Sequence, residues 1–148
     1  MKITAFCPAD DNHLEEFKKL ERSLRKFHSE EELPLLRFDN PNPQDRNFWY
    51  RATPILAKKL LEEYDTVIKL DSDQIICGDL SYLWQEDDFD VGVVMNDPSY
   101  PIRLWDIAPP GRYFNNGLVV LRNREFVEHW YRLCMSNHFS TYQFREQD

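Results

Sequence analysis

The chain has 148 residues, of which 42% are hydrophobic and 14% aromatic. This composition is typical of a folded globular protein, which excludes a disordered chain, and the length predicts one domain over residues 1–148. The formal net charge is −8. Nucleic-acid backbones and anionic lipid surfaces repel a chain this acidic, so we expect neither as its main partner.

The N-terminus and the cysteines predict a cytoplasmic protein. Only five residues separate Lys2 from Pro8, which leaves no room for the apolar core of a signal peptide. No apolar run reaches the ~18 residues that a transmembrane helix requires, so no transmembrane segment is expected. Cys7, Cys77 and Cys134 lie far apart in apolar surroundings, without zinc-type spacing. We expect three buried free thiols in a reducing compartment.

The first third of the chain predicts a β-α-β unit. A strand over residues 2–7 precedes a helix over residues 12–28, which opens with a capping-box pattern of Asn12 and Glu15. A second strand over residues 34–38 then lies parallel to the first, through a right-handed crossover. Beyond it, the pattern predicts helices over residues 48–64, 80–84 and 123–137, and strands over residues 66–70, 90–95 and 118–121.

Two carboxylates follow the third predicted strand. Asp71 and Asp73 flank Ser72 where the apolar run of residues 66–70 ends. In extended backbone both acids project from one side and Ser72 from the other. Ligands of open α/β sheets bind at the carboxyl ends of strands, and paired carboxylate oxygens suit Mg²⁺ or Mn²⁺. The pair therefore predicts a divalent-metal site, which would also allow an acidic chain to bind a phosphate.

Other interpretations of the Asp-Ser-Asp triplet are open. It could form only an Asx turn. An EF-hand is excluded, because the fifth ligand, glycine and last-acid positions would be Ile75, Ile76 and Tyr82. A haloacid-dehalogenase-like phosphatase, with phosphoryl transfer through Asp71, also has an apolar strand before Asp-x-Asp. In that family the motif usually ends the first strand, whereas here about half the chain precedes it.

Several segments together resemble the nucleotide-sugar half of GT-A glycosyltransferases, most closely family eight, the glycogenin and bacterial galactosyltransferase group. The resemblance covers residues 47–148 and is looser at the first strand. It implies a Rossmann-like, three-layer α/β/α GT-A fold with a mainly parallel central sheet. The segments are Arg51-Ala-Thr-Pro-Ile-Leu, Tyr64 to Asp73, Cys77-Gly-Asp-Leu, Tyr113-Phe-Asn-Asn-Gly-Leu-Val and Glu146-Gln-Asp.

The resemblance implies a role for each matching residue at the donor. Asp71 would contact ribose or metal, and Asp73 would ligate Mn²⁺ or Mg²⁺ bridging the diphosphate. Arg51 would meet the donor sugar or phosphates, although a surface ion pair is the competing interpretation of this arginine. Ser72, between the two acids, would also bind the nucleotide, and the looser match at the first strand adds Ala5 and Cys7 as nucleotide-binding positions.

The resemblance implies that the two motifs nearest the C-terminus lie beside the transferred sugar. Asn115, as a catalytic residue, and Gly117, as a donor-binding one, would lie beside the sugar and acceptor. Asp148 would face the acceptor or donor hydroxyls. It is the candidate base if the reaction inverts configuration, whereas retention, the habit of the family, needs no distant base.

The activity implied is a metal-dependent, retaining glycosyltransferase. A sugar would pass from a nucleotide-diphosphate donor, by family habit a UDP-sugar, to a glycan or protein acceptor. The family usually continues past the position of Asp148 into an acceptor region with a metal-binding histidine, so the resemblance implies a domain that ends early. The alternative is a non-catalytic nucleotide-sugar-binding module that needs further residues or a partner chain.

Overall fold

The computed structural model describes residues 1–42, 44–45, 47–85, 89–95 and 114–136. Within these ranges no helix is both long and apolar enough to cross a membrane. The strands are β1 (Ile3–Pro8), β2 (Leu35–Phe38), β3 (Thr66–Leu70), β4 (Val91–Met95) and β5 (Phe114–Leu121). The helices are α1 (Leu14–Leu24), α2 (Phe48–Leu60), α3 (Tyr82–Gln85) and α4 (Arg124–Cys134), and a 3₁₀ turn (Asp11–His13) precedes α1.

The five described strands form one sheet in the order β2-β1-β3-β5-β4. β1 is parallel to both β2 and β3. β5 is antiparallel to its two neighbours, β3 and β4. Four of these strands therefore run in one direction and β5 opposes them, which confirms the expected α/β class with a mainly parallel sheet.

Two hydrophobic clusters cover the two faces of the sheet. Helix α1 packs on one face, where Leu20 and Leu24 join Ile68 of β3. Helices α2 and α4 pack on the other, where Val67 of β3 joins the second cluster. Neighbouring residues of β3 thus point to opposite faces, as the two-residue period of a strand requires. The result is the three-layer α/β/α arrangement that the resemblance implied.

The start of α1 differs from the predicted capping box. Asp10 caps the 3₁₀ turn before α1, and its carboxylate accepts a hydrogen bond from the His13 amide at 3.2 Å. His13 is the N-cap residue of α1 and makes no side-chain capping hydrogen bond. Glu15 instead accepts from Lys18 Nζ at 2.8 Å. The predicted capping box of Asn12 and Glu15 was wrong. A 3₁₀ turn that ends at His13 precedes the helix, and in this turn the Asp10 carboxylate is the acceptor for the free His13 amide.

Strand β5 begins four residues earlier than predicted. Phe114 pairs with Met95 and Asn115 with Val94, next to an irregularity in β4 between Val93 and Val94. The Phe-Asn-Asn-Gly segment therefore lies inside the sheet. Asn and Gly are typical turn residues, so the sequence of this segment predicted a turn instead of the first half of a strand.

The loop after β3 is held by two buried polar side chains from the α1 region. Ser23 Oγ accepts a hydrogen bond from the Ile76 amide at 2.9 Å. His28 Nε2 accepts one from the Leu80 amide at 2.8 Å. Both side chains are buried, and the His28 ring also meets Trp84 edge to face at 5.3 Å. The backbone that follows the acid pair is thereby attached to α1.

Replacing His28 with leucine is expected to lower the free energy of unfolding by about 1–3 kcal/mol, because the buried Leu80 amide loses its acceptor. Urea denaturation followed by circular dichroism measures the change. His129→Leu is the matched control, since His129 is exposed on α4. Equal stability of the two variants would contradict the anchoring role of His28.

Candidate functional site

A cavity of about 300 Å³ opens at the carboxyl ends of β1 and β3. Four segments line it: the turn after β1, the first turns of α2, the end of β3 with its following turn, and β5. The lining residues are Pro8, Ala9, Asp10, His13, Trp49, Thr53, Lys69, Asp71, Ser72 and Asn116. The cavity lies at the sheet edge where the acid pair predicted a site.

Lys69 and Asp71 form an ion pair in the wall of this cavity. The two residues are two positions apart at the end of β3, so their side chains emerge from the same face. Lys69 Nζ donates to Asp71 Oδ1 at 2.5 Å and also to the backbone oxygen of Asn116. The Lys69 side chain is 5% exposed and that of Asp71 is 47% exposed. The carboxylate therefore faces the opening, and the ammonium lies beneath it.

The backbone turns directly after Asp71. The Gln74 amide donates to the Asp71 carbonyl at 3.3 Å, so Ser72 and Asp73 occupy the middle of a turn. The expectation that extended backbone aligns Asp71 with Asp73 was therefore wrong, because the strand ends at Leu70. Ser72 lines the cavity, and Asp73 is exposed.

Gly117 lies where several polar side chains converge. Its carbonyl accepts from the Asp71 amide at 2.9 Å, and its own amide donates to Asn115 Oδ1 at 2.7 Å. A Cβ at Gly117 would lie 2.7 Å from Asn115 Oδ1, 3.1 Å from Gln74 Nε2 and 3.3 Å from Asp71 Oδ2. The absence of a side chain here allows β5 to approach the acid turn.

The donor chemistry of Asp71 and Asp73, rather than a shared direction of their side chains, fits a divalent ion that binds together with a ligand. Asp71 and Asp73 offer hard carboxylate oxygens, which suit Mg²⁺ or Mn²⁺. Within the described ranges, no group of three or more His, Cys, Asp or Glu side chains is placed to hold a metal. Mg²⁺ is commonly held by one or two carboxylates, with water and substrate phosphates completing its coordination. The donor set present matches that mode rather than an all-protein cage.

Arg51 lies away from the cavity. Trp49 and Thr53 are four positions apart on α2 and face the cavity together, whereas Arg51 falls between them on the far side of the helix. Its guanidinium pairs with Asp45, and its Nη1 lies 4.0 Å from Met135 Sδ. The ion-pair interpretation describes this placement, and contact between Arg51 and a donor stays a prediction.

The two predicted positions of β1 are fully buried. Ala5 and Cys7 belong to the cluster beneath α1, and their side chains do not line the cavity. The lining residues of this strand and its turn are Pro8, Ala9 and Asp10. A role for Ala5 and Cys7 in nucleotide binding stays a prediction.

The predicted residues near the transferred sugar are described in part. Asn115 is exposed at the start of β5, and Gly117 is buried two positions further on. Asp148 lies outside the described residues, as does the Glu146-Gln-Asp motif that contains it. Their roles stay predictions.

Sequence reasoning missed several lining residues. Lys69 had a signal, since it is the charged residue inside the apolar run of β3 and stands two positions before Asp71. The four-residue spacing of Trp49 and Thr53 was a weaker signal. Asn116 offered none, because its side chain reaches Thr53 Oγ1 at 3.2 Å only through the sheet-to-helix packing.

The cysteines differ in exposure. Burial, together with the smaller effect of the nearby Asp71 carboxylate, raises the pKa of the Cys7 thiol to about 12. Cys134 is also buried, but Cys77 is exposed. The expectation of three buried thiols was therefore wrong for Cys77, which lies on the loop held by Ser23 and His28.

The chain shares its fold with solved structures of GT-A glycosyltransferases. GlyE of Streptococcus pneumoniae TIGR4 matches with a TM-score of 0.63 at 17% identity, over 99% of this chain and 42% of GlyE. The galactosyltransferase LgtC, in complex with donor and acceptor sugar analogues, gives 0.66 at 19% identity, over 96% and 66%. The bifunctional WbbM gives 0.67 at 16% identity, over 99% and 36%. The chain thus spans about two fifths of the length of GlyE.

The family follows from the sequence. The glycosyl transferase family 8 model matches residues 4–142. The chain therefore belongs to glycosyl transferase family 8, which confirms the resemblance drawn from its motifs. None of the curated protein sequences matches the chain.

Gly117→Ala is expected to lower the free energy of unfolding by about 1–3 kcal/mol, because the added methyl group overpacks the contact with Asn115, Gln74 and Asp71. Chemical denaturation measures the loss. Gly78→Ala is the matched control, since no atom lies within 4 Å of a Cβ there. Equal losses in both variants would show that the close contacts around Gly117 do not contribute to the free energy of unfolding.

Thiol labelling with a chromogenic disulfide at pH 8 is expected to modify one cysteine per native chain and all three after unfolding. Cys77 is exposed, whereas Cys7 and Cys134 are buried. Cys7 also stays protonated at this pH, because its pKa is about 12 and only the thiolate reacts. Mass spectrometry of the labelled peptides identifies the modified residue. Rapid labelling of Cys7 in the native chain would contradict its burial.

Proposed function

We propose that the chain binds a nucleotide-sugar donor in the cavity at the ends of β1 and β3. We further propose that it forms the donor half of a metal-dependent glycosyltransferase. The observation that carries the proposal is the Lys69–Asp71 pair with Ser72 in the cavity wall of a family 8 chain. These groups combine a cation and carboxylate oxygens at the sheet edge where nucleotides bind in open α/β folds.

The lining residues suggest how the donor lies. His13 and Trp49 present rings on which a base can stack, and Asp10 offers a carboxylate beside them. Asp71 and Ser72 present oxygens toward the ribose and the diphosphate. The nucleotide is proposed to be a UDP-sugar, and the ion Mn²⁺ or Mg²⁺, held by Asp71 and Asp73. When bound, such an ion stabilises the charge that develops on the leaving nucleoside diphosphate.

The transfer step is proposed to retain configuration. Asn115 is exposed at the end of β5 nearest Asp71, as a residue beside the transferred sugar must be. Gly117 is proposed to act at the donor by letting β5 pack against the acid turn, where Asn115, Gln74 and Asp71 surround its Cα. Asp148 is proposed to face the acceptor, which we take to be a glycan or a protein. In an inverting reaction Asp148 would be the base.

The proposal also covers the cellular location of the protein and the extent of its domain. The three cysteines are free thiols, as expected in a reducing compartment, and we propose a cytoplasmic protein. Residues 1–148 are proposed to act as one donor-binding domain.

A donor-binding module that does not turn over alone is the second candidate. It is favoured by the share of GlyE that the chain spans, 42%. Membership of glycosyl transferase family 8 leaves the phosphatase interpretation without support. Release of nucleoside diphosphate in the presence of acceptor sugars separates the transferase from the module.

Wild-type protein is expected to be stabilised by UDP-sugars with Mn²⁺ or Mg²⁺ and less by the same donors with EDTA. A donor at ~100-fold excess over its Kd adds about 2.7 kcal/mol to the free energy of unfolding. Asp73→Asn is expected to abolish the metal-dependent part and leave the fold intact, because the exposed turn loses one metal ligand. Thermal denaturation and titration calorimetry measure both effects.

Asp90→Asn is the matched control for this experiment, since Asp90 is exposed just before β4. It changes charge and size by the same amount away from the cavity. Undiminished metal-dependent binding by Asp73→Asn would remove the metal assignment. No stabilisation of wild-type protein by any nucleotide sugar would overturn the proposed function.

A further inference from the structure

Lys69 places a buried positive charge inside the wall of the cavity. Of the described residues that line the cavity, it alone is a lysine or arginine. Other cations nearby are engaged elsewhere: Arg37 pairs with Asp11 at 2.5 Å and donates to the Ala9 carbonyl at 2.9 Å, and Arg51 pairs with Asp45. The fixed cationic charge of the cavity wall therefore comes from Lys69.

Contacts from three elements fix the position of the Lys69 ammonium. β3 carries Lys69, whose backbone pairs with Val119 of β5. The turn after β3 supplies Asp71 Oδ1, and β5 supplies the carbonyl of Asn116. The Asn116 side chain is in turn held by Thr53 of α2 at 3.2 Å. A buried charge requires partners of this kind, so Lys69 keeps its place whether or not a ligand is bound.

This contact changes what Asp71 can offer to a metal ion. Oδ1 already accepts from the ammonium, which makes it a weaker metal ligand, and Oδ2 makes no contact with Lys69. A divalent ion at Asp71 and Asp73 would also lie close to a like charge, which opposes its binding. A diphosphate in the cavity would be attracted by the same charge. Lys69 thus favours the anionic ligand and disfavours the free metal.

We propose that Lys69 is a resident cation of the donor site, which positions Asp71, weakens the binding of a free divalent ion and supplies part of the positive charge that a nucleoside diphosphate requires. The inference deepens the proposed function and rests on it for the diphosphate. Metal and donor then bind cooperatively, since the diphosphate offsets the charge that repels the metal. Some binding of the nucleotide also persists without any divalent ion.

The first test measures Mn²⁺ alone, so it does not depend on a donor. Electron paramagnetic resonance of free Mn²⁺ gives its Kd for wild-type protein and for two neutral variants of the full chain. Lys69→Met removes the charge and approximates the shape, and Lys69→Gln keeps a hydrogen-bond donor for Asp71 and Asn116. We expect the Kd for Mn²⁺ to fall about tenfold in either variant that circular dichroism shows to be folded.

The second test measures UDP by titration calorimetry, with EDTA and with Mn²⁺. Wild-type protein is expected to bind UDP more weakly in EDTA but still measurably. In the neutral variants, binding in EDTA is expected to weaken about tenfold, so that UDP binding comes to depend on Mn²⁺. A purely structural role for Lys69 would weaken binding equally in both conditions. Lys69→Arg, which keeps the charge, is expected to restore part of the binding in EDTA.

Lys18→Met is the matched control, because Lys18 pairs with exposed Glu15 on α1 outside the cavity. It makes the same change in net charge and is expected to leave the Kd values for Mn²⁺ and UDP unchanged. Equal Mn²⁺ affinity in wild-type protein and both neutral variants would overturn the assignment of Lys69. Failure of wild-type protein to bind UDP in either condition would overturn the proposed function, and the Mn²⁺ measurement would still decide the role of Lys69 toward the acid pair.

Discussion

The pairing of β3 with β5 is the constraint on which the site depends. The ladder between these antiparallel strands runs from Val67 and Leu121 to Leu70 and Leu118, and the bond from the Asp71 amide to the Gly117 carbonyl extends it by one step. Two segments that are distant in sequence therefore meet at one edge of the sheet. The acid turn gains a wall of polar groups, and Lys69 gains an acceptor that β3 alone does not provide.

Buried polar contacts with the helices on both faces of the sheet support this arrangement. The loop that leaves the acid turn is attached through Ser23 and His28, whereas the wall formed by β5 is attached to α2 through Asn116 and Thr53. Each of these hydrogen bonds joins two segments that are distant in sequence, so the contacts specify one geometry rather than merely adding burial. The cavity is therefore shaped by packing from both faces of the sheet before any ligand arrives.

Much of the fold and part of the site could be predicted from sequence, and the errors have local physical causes. The β-branched run before Asp71 predicted β3 with its bounds, because such residues favour a buried strand. Asp73 was misplaced because alternation holds only where the backbone stays extended. The start of β5 was missed because Asn and Gly resemble a turn. Lys69 had a local signal, as a charge inside an apolar strand, but its contact with Asn116 had none, because only the pairing of β3 with β5 brings the two residues together.

The order of the strands has a consequence for how the protein is made. Among the described strands, β4 pairs only with β5, although β5 follows it in the chain. During synthesis from the N-terminus, β1, β2 and β3 can associate as a parallel half-sheet, while β4 has no neighbour until β5 emerges. The strand that completes the sheet is also the one that supplies Asn116 and Gly117. A nascent chain therefore lacks one wall of the cavity until its last described strand has left the ribosome, which separates assembly of the scaffold from assembly of the site.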